Sequence, residues 1–431
     1  MIFNPFKKKQ KKVLIIGLDG VPYSLLKRLI EKGKLPTLKE IFSKGNFSRI
    51  TVTIPEISSV SWSSFMTGKD PSFHGIYGFT DILPGTYKMY FPNFLDLKAE
   101  TIFDEIGKKG KRSVVINLPA TYPAKKISGV LISGFVALRL EKAVFPKEIL
   151  SKLKEFGYKI DVDTKRGKED YDFLMKDLFS TLEKRRKVAL WLWENQIWDL
   201  FMIVITGTDR IQHFLFDAFL DIDHPYSELF LKYFQKIDSF VAEMYEKYKK
   251  LPEEKTFFML SDHGFTGIET EVYINRWLYE NGYLKLSPSP KTISDIQEGT
   301  VAFALDPSRI YINLKGKFPL GKVEKKDYEK VREELKKGLL EMKYKRRSVI
   351  KKVFFKEDLF SGPYLEFAPD IVLLSNYGFD LKASVQKAHI FGRSNLTGMH
   401  TYDDAFFFCE NKEIDCKTIF EAKEKIEKVL C

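Results

Sequence analysis

Five short apolar runs restrict the folds that this chain can adopt. The first, KVLIIGLDG at 12–20, is an uninterrupted apolar stretch, which is typical of a strand buried on both faces of a parallel sheet. Runs of the same kind at 113–118, 200–206, 256–260 and 370–374 predict further core strands. Helical patterns lie between several of these runs, and such alternation predicts an α/β fold with a mostly parallel sheet.

Two stretches break this alternation. One mixes turn-forming residues with a polar helical run, and the other joins a Pro-rich turn, SPSP at 287–290, to a strongly charged helix. Because the run at 370–374 resumes the buried-strand pattern, we interpret the second stretch as a cap inserted between core strands. We therefore expect a core made of 1–119, 196–269 and 366–431, a partly helical insertion at 120–195 and an inserted cap at 270–365.

Charge and cysteine content limit the classes of partner and compartment. The 70 Lys and Arg residues exceed the 58 Asp and Glu residues, but they are spread along the chain, so nucleic-acid binding stays open. Cys409, Cys416 and Cys431 lack the spacing of a disulfide framework or zinc site, which indicates a reducing, cytoplasmic location. The lysine-rich start precedes an apolar run at 13–18 that is too short for a signal peptide or a transmembrane segment. The oligomeric state stays open.

Carboxylates and imidazoles cluster at the ends of the predicted strands. Ligands of open α/β sheets bind beyond the carboxyl ends of the strands, and this mixture of side chains suits zinc or a similar divalent ion. Asp209 and His213 are spaced i and i+4 and would share a helix face. Each position alone could be a helix cap or a surface pair, but together they predict a metal centre. The candidate ligands are Asp19, Asp209, His213, Asp262, His263 and His400.

The segment IPEISSVSWSSFMTGKDPSFHGIYGF at 54–79 supplies a candidate nucleophile. Ser58 follows Pro55 and precedes a helical run, and a helix N-terminus stabilises an alkoxide and binds phosphate. Serine is a weak nucleophile and needs a base or a metal to activate it. The alternative role for Ser58 is that of a simple helix cap.

The ordered motifs strand-Asp, P-x-x-S, T-G-x-x-P-x-x-H-G-I, D-x-x-x-H, S-D-H-G and a late G-x-H resemble the type I phosphodiesterase/nucleotide pyrophosphatase family of the alkaline phosphatase superfamily. The resemblance covers roughly 10–120, 196–268 and 366–410. It implies an alkaline-phosphatase-like core, with a mostly parallel sheet sandwiched by helices, and an inserted cap subdomain.

The resemblance also implies a ligand set and a reaction. Two divalent metal ions are implied, Zn²⁺ in the first place and Mn²⁺ as the alternative. One ion would be held by Asp209, His213 and His400, and the other by Asp19, Asp262 and His263, with Ser58 as both ligand and nucleophile. The implied reaction is hydrolysis of a small phosphate ester, either a phosphodiester or a nucleotide pyrophosphate, through a phosphoseryl intermediate.

Two positions depart from the family pattern. Serine stands at position 58, where this family usually has threonine. Phe79 stands where nucleotide pyrophosphatases carry an asparagine that steadies the transferred phosphoryl group, which weakens the expectation of nucleotide-specific activity. Asn117, at the end of the predicted strand at 113–118, is a candidate substrate-binding residue in its place, with a turn-forming role as the alternative. We interpret His74 as structural.

Other functions on related folds fit less well. The segment after Ser58 lacks the Pro and Arg of a sulfatase maturation motif, and the nucleophile turn of a phosphoglycerate-mutase-like phosphotransferase is not recognisable. A phosphomonoesterase stays open, although no Lys or Arg can be assigned to the site, which favours diesters. An inactive anion-binding protein on this fold is the remaining alternative, and the complete ligand set argues against it.

Overall fold

The computed structural model describes residues 11–431, so most of the lysine-rich start lies outside the described residues. The strands are β1 Lys11–Leu18, β2 Asn46–Ile50, β3 Asp81–Ile82, β4 Met89–Tyr90, β5 Ser113–Leu118, β6 Gly129–Ser133, β7 Val144–Phe145, β8 Leu200–Ile205, β9 Glu254–Leu260, β10 Gly264–Gly267, β11 Thr270–Tyr273, β12 Ala302–Leu305, β13 Arg309–Ile312, β14 Lys343–Tyr344, β15 Arg347–Ser348, β16 Ile350–Phe355, β17 Ile371–Ser375, β18 Phe379–Lys382, β19 Phe391–Gly392, β20 Gly398–Thr401 and β21 Ala405–Cys409. The α-helices are α1 Tyr23–Glu31, α2 Pro36–Lys44, α3 Ser58–Thr67, α4 Pro71–His74, α5 Ile102–Lys108, α6 Leu150–Glu155, α7 Thr164–Gly167, α8 Tyr171–Asn195, α9 Gly207–Leu220, α10 Ser227–Lys249, α11 Ile274–Glu280, α12 Tyr328–Leu340, α13 Lys356–Leu359 and α14 Ala422–Leu430. None of the helices between residues 11 and 431 is long and apolar enough to cross a membrane.

An eight-stranded sheet in the order β2-β21-β9-β1-β8-β5-β6-β7 forms the centre of the molecule. The five strands from β9 to β6 run parallel, with Leu14 of β1 paired to Phe201 on one side and Phe257 on the other. Antiparallel strands complete both edges. This sheet confirms the predicted α/β fold with a mostly parallel sheet.

Strand β1 shows why its sequence is apolar throughout. Leu14 and Ile16 pack into a core built with helices α1, α2, α8, α9 and α10 on one face of the sheet. Val13 and Ile15 point to the opposite face and pack with helices α3, α5 and α14. Because both faces are covered by helices, every position from Val13 to Leu18 is buried, and the period-2 alternation of a half-exposed strand is lost.

A second, antiparallel sheet in the order β12-β13-β17-β16 lies outside this sandwich. Leu335 and Leu339 of helix α12 share its apolar core with Ile312 and Leu373, as the helical pattern of the predicted cap requires. The expectation that the run at 370–374 returns to the central sheet is wrong, because β17 pairs with β13 and β16.

The cause of this error is that β17 is buried on both faces, so its sequence has the same uninterrupted pattern as a parallel core strand. Ile371 and Leu373 pack into the core of the second sheet, and Val372 packs on the other side against Tyr77 and Phe360. The sheet with α12 therefore extends to Ser375, and the division of the rest of the chain into core and cap segments stays a prediction.

The stretch at 120–195 contributes directly to the sandwich. Strands β6 and β7 extend the central sheet, and helix α8 packs on the same face as α9 and α10. With five and two residues, these strands are too short to leave a periodic pattern that distinguishes them from loops. The long helical run predicted here is present as α8, with Leu174, Leu178 and Leu182 buried.

Candidate active site

The predicted site residues come from five separate elements that meet at one edge of the central sheet. Each predicted ligand lies after a strand, in the first turns of the helix that follows one, or on the short strand β20, and Ser58 is the first residue of helix α3. Parallel strands present their carboxyl ends at the same edge, so residues distant in sequence become neighbours. These residues are Asp19 after β1, Asp209 and His213 in α9, Asp262 and His263 after β9, His400 in β20, and Ser58.

One triangle of ligand atoms is formed by Asp209, His213 and His400. Asp209 Oδ1 lies 3.3 Å from His213 Nε2 and 3.2 Å from His400 Nε2, and the two Nε2 atoms lie 3.0 Å apart. The i,i+4 spacing in α9 aligns Asp209 with His213 on one face, as expected. All three atoms are close enough to bind one ion with a small outward shift of the side chains.

A second group surrounds Ser58. Its Oγ lies 3.0 Å from His263 Nε2 and donates to Asp19 Oδ1 at 3.4 Å. His263 Nε2 lies 3.4 Å from Asp262 Oδ2 and 3.7 Å from Asp19 Oδ1. The two groups are adjacent, because Asp209 Oδ1 lies 3.9 Å from His263 Nε2.

The three histidines are oriented by their second ring nitrogen. In each ring the Nδ1–H donates to a backbone carbonyl oxygen, which leaves the Nε2 lone pair directed into the site. The acceptors are Gly398 for His213 at 3.1 Å, Gly264 for His263 at 3.0 Å and Glu56 for His400 at 2.8 Å. Burial lowers the pKa of His263 and of His400, so both rings are neutral at pH 7. This is the arrangement that metal-binding histidines adopt in proteins.

Burial also disturbs the acidities of the carboxyl groups. It raises the pKa of Asp19 well above its usual range, and the nearby carboxylates of Asp262 and Asp209 raise it further. Burial raises the pKa of Asp262 to about 7. The pKa of Asp209 falls well below its usual range, because His213 and Arg210 outweigh the effect of its burial. A cation in the site would therefore stabilise the charged forms of Asp19 and Asp262.

Divalent cations suit this arrangement of side chains. Asp262 Oδ2 is buried and has no hydrogen-bond partner within residues 11–431. The Nε2 atoms of His213 and His400 lie 3.0 Å apart, and the Nδ1 atom of each ring is bonded to a backbone carbonyl, so both Nε2 atoms can face one ion. Carboxylate oxygen and imidazole nitrogen are also the preferred ligands of Zn²⁺ and related ions. The donor set therefore fits two ions.

Which residues share an ion is indicated by the distances. Ligand atoms of Asp19, Asp262 and His263 lie within 4.8 Å of one another, and so do those of Asp209, His263 and His400. His263 is thus near both groups, but the tighter triangle of Asp209 with His213 and His400 favours the partition implied by the family resemblance.

Gly20 allows the first strand to end this close to the ligands. Its φ is +67°, and a Cβ at this position would lie 2.9 Å from His263 Cε1 and 2.7 Å from Phe265. Its N–H donates to Asp262 Oδ1 at 3.0 Å. A glycine is therefore required directly after Asp19, because any side chain at position 20 would collide with His263 and Phe265.

Ser58 is not the cap of helix α3. The cap position is held by Ile57, which makes no side-chain capping hydrogen bond, and Ser58 is the first helical residue. Its hydroxyl points toward His263 and Asp19 rather than toward the backbone of its own helix. The capping role considered from sequence is therefore wrong, and the side chain is free for chemistry.

A cavity of about 300 Å³ opens in front of Ser58. Part of its lining is apolar and contains Phe79 and Phe135, and another part comes from Leu373 of β17, in the second sheet, and Lys382 of β18, in the three-stranded sheet β18-β11-β19. This volume lies at the small end of the range for ligand pockets. The second sheet therefore contributes to the space in which a substrate would lie.

Two cationic side chains of this cavity were not predicted. Arg210 follows Asp209 directly, and its guanidinium bonds to Asp209 and Asp161. Lys382 also lines the cavity and pairs with Asp380 at 2.8 Å. The position of Arg210 beside a predicted ligand was a usable signal, whereas nothing in the sequence around Lys382 connects it to the site.

Asn117 does not reach the cavity. Its side chain is fully buried and enclosed by Thr206, Tyr158 and Arg185. Its φ of 62° agrees with the turn-forming alternative. The prediction that Asn117 binds substrate is therefore corrected: the residue closes the end of β5 within the core.

The chain is similar to a known protein family and to several solved structures. The profile of the type I phosphodiesterase / nucleotide pyrophosphatase family matches residues 13–403, and no curated protein matches the sequence significantly. Phosphonoacetate hydrolase from Sinorhizobium meliloti 1021 has a similar structure, with a TM-score of 0.65 at 16% identity over 98% of this chain and 96% of that one. The alkaline phosphatase PafA gives a TM-score of 0.61 at 13% identity over 99% and 96% of the two chains.

Murine ectonucleotide pyrophosphatase / phosphodiesterase 5 gives a TM-score of 0.57 at 14% identity over 97% of this chain and 95% of that one. At such identities the structural likeness shows the fold and no more. The family profile, in contrast, spans most of the sequence and both triangles of candidate ligands. The chain belongs to the type I phosphodiesterase/nucleotide pyrophosphatase family of the alkaline phosphatase superfamily.

Proposed function

We propose that this protein is a metal-dependent phosphate-ester hydrolase in which Ser58 is the covalent nucleophile. The observation that carries the proposal is the position of Ser58 Oγ, 3.0 Å from the Nε2 atom of a histidine whose other nitrogen is held by a backbone carbonyl. Six candidate ligands surround this point in two adjacent groups. A structural serine has no need of such surroundings.

The ligand groups define which residues would hold the ions. Asp209, His213 and His400 would bind one, and Asp19, Asp262 and His263 would bind the other together with Ser58. When bound, two divalent ions would supply positive charge that favours the deprotonated hydroxyl and neutralises the phosphoryl oxygens. We propose Zn²⁺ as the native ion, with Mn²⁺ as the alternative.

Ser58 would react in two balanced steps. In the first, its hydroxyl loses a proton to solvent, its Oγ bonds to phosphorus, and the bond from phosphorus to the alcohol oxygen breaks. The electron pair of that bond goes to the alcohol, which leaves and takes up a proton. In the second, water attacks the phosphoseryl group, the Ser58 oxygen leaves and is reprotonated, and the phosphate product departs.

The cavity supports a small substrate. Its volume of about 300 Å³ accommodates a phosphoryl group and a modest alcohol, and its apolar wall suits an organic leaving group. Two neighbours of the fold are described in complex with small ligands of this kind, phosphonoacetate and AMP. Phosphodiesters and nucleotide pyrophosphates, the substrates named by the family, are the first class to test. We also propose a cytoplasmic location, because the three cysteines are free.

A substrate panel tests this proposal. Purified protein, loaded with Zn²⁺ or Mn²⁺, is assayed with p-nitrophenyl phosphate, bis-p-nitrophenyl phosphate and nucleotide esters, and its metal content is measured in parallel. We expect about two ions per chain and turnover of at least one ester. A protein that binds two ions and anions but turns over none of these compounds would favour the alternative of an inactive anion-binding protein.

A further inference from the structure

An aromatic stack occupies the position where the family carries its phosphoryl-steadying asparagine. Phe79 stands at that position and stacks on Phe135, with ring centroids 5.0 Å apart and an angle of 27° between the rings. The guanidinium of Arg210 lies over the other ring, 4.1 Å from the centroid of Phe135. All three side chains line the same cavity as Ser58. Where the family has an asparagine, this chain therefore has a Phe79–Phe135 stack with the guanidinium of Arg210 lying over it.

Arg210 is fixed from two further directions. Its Nε and Nη2 donate to Asp161 Oδ2 at 3.0 and 2.7 Å, and its Nη1 donates to Asp209 Oδ2 at 2.9 Å. The side chain is only 13% exposed. A guanidinium has five N–H groups, and these contacts use three of them. One N–H on Nη1 and one on Nη2 therefore stay available to a ligand in the cavity.

The contact with Asp209 places these donors beside the ligand triangle. Oδ2 of Asp209 accepts from Arg210, whereas Oδ1 faces the two histidines His213 and His400. A phosphoryl group bound at Ser58 and the ions would therefore lie within reach of the guanidinium. Planar N–H pairs are well suited to phosphoryl oxygens, and bonds between charged partners are stronger than those from a neutral amide.

We propose that Arg210 binds a non-bridging oxygen of the transferred phosphoryl group, in place of the missing asparagine amide. This inference rests on the proposed function. A positive donor gains most from a phosphoryl group with two negative charges, so the substrate class favoured by Arg210 is the phosphate monoester. This proposal favours monoesters, whereas the sequence, in which no Lys or Arg could be assigned to the site, favoured diesters.

A purely structural role makes different predictions. If Arg210 only holds Asp209 in place, its loss weakens binding of the metal ion, and excess metal restores activity on every substrate equally. If it touches the phosphoryl group, its loss weakens binding of inorganic phosphate to the fully metal-loaded protein and harms monoesters more than diesters.

Three variants separate these roles. Arg210→Ala removes the donors, Arg210→Lys keeps the charge without the planar fork, and Arg139→Ala is the matched control, an exposed arginine of the same half of the chain. Each is saturated with Zn²⁺ and checked for metal content. Phosphate affinity is then measured by calorimetry, and kcat/KM is measured for p-nitrophenyl phosphate and bis-p-nitrophenyl phosphate.

We expect Arg210→Ala to keep both ions and to bind phosphate about 10- to 100-fold more weakly, as for loss of a hydrogen bond between charged groups. Its kcat/KM should fall at least about 10-fold more for the monoester than for the diester, while Arg139→Ala matches the wild type. Arg210→Lys should bind phosphate with intermediate affinity, and it carries the test if the alanine variant does not fold.

Unchanged phosphate affinity in Arg210→Ala at full metal occupancy would overturn the inference, as would equal losses on the two esters. These outcomes are distinct from failure of the proposed function, in which the wild type itself hydrolyses no ester. In that case the phosphate affinities still show whether Arg210 contacts the anion.

Discussion

Replacement of Ser58 by alanine separates chemistry from structure, because the serine contributes little to the fold. Ser58 is the first residue of helix α3 and does not cap it, and its Oγ hydrogen-bonds to His263 and Asp19. Loss of these contacts costs about 0.5–1.5 kcal/mol of unfolding free energy each at most, and the higher helix propensity of alanine offsets about 0.5 kcal/mol. We therefore expect Ser58→Ala to lower the unfolding free energy by about 0.5–2.5 kcal/mol.

Activity should respond very differently. Without the nucleophile, water must attack the ester directly, and we expect kcat to fall by about a thousandfold or more. Steady-state assays on metal-loaded protein, with metal analysis and chemical unfolding of the same samples, measure all three quantities. Ser59→Ala is the matched control, because the buried hydroxyl of Ser59 has no hydrogen-bond partner among the described residues. Ser58→Thr should keep much of the activity, since the family usually carries threonine here. A Ser58→Ala enzyme with nearly normal turnover would refute the covalent mechanism.

Three other substitutions test the metal site, the packing and a buried titratable group. Asp262→Asn should reduce the metal content from about two ions to about one and abolish turnover, whereas the exposed Asp223→Asn should change neither; two ions retained in Asp262→Asn would contradict the assigned ligand set. Gly17→Ala should destabilise the fold by about 1–3 kcal/mol, because the new Cβ would lie 2.8 Å from Trp62 Cη2, and an unchanged midpoint of chemical unfolding would contradict this. Burial lowers the pKa of His74 to about 3, so the unfolded chain takes up a proton below about pH 6.5 that the folded chain does not bind. The unfolding free energy therefore falls as the pH falls. Between pH 7 and 5, unfolding curves should show a decrease that is about 2 kcal/mol smaller in His74→Gln than in the wild type. Equal decreases in the two proteins would show that His74 is protonated in the folded state.

The central strands could be predicted because their environment is uniform. Strands β1, β5, β8 and β9 are covered by helices on both faces, so each appears in the sequence as an uninterrupted apolar run. The candidate ligands could be predicted because each lies a few residues from a strand end, and the topology of a parallel sheet brings those ends together. The same pattern misled the assignment of β17, since burial on both faces does not reveal which sheet a strand joins.

Arg210 directly follows a predicted ligand, but its role could not be derived from the sequence because the residues around it come from distant parts of the chain. Asp161, which binds its Nε and Nη2, lies 49 residues earlier, in a stretch with no recognisable motif. Phe135 follows the short strand β6, which left no periodic signal. The prediction that Asn117 binds substrate was wrong because its position along the sequence was misleading. Its position near the end of strand β5 resembles that of the candidate ligands, but its side chain is buried in the core.

Detection of the covalent intermediate is the most direct test of Ser58 as the nucleophile. Metal-loaded wild-type protein is mixed with p-nitrophenyl phosphate, quenched rapidly in acid and digested, and the peptides are examined by mass spectrometry. If Ser58 is the nucleophile, we expect one phosphoryl group on Ser58 and none on Ser59 or Ser61, with no labelling in Ser58→Ala. Rapid turnover of the ester with Ser58 never phosphorylated, or a label on another residue, would contradict the assignment of Ser58 as the nucleophile.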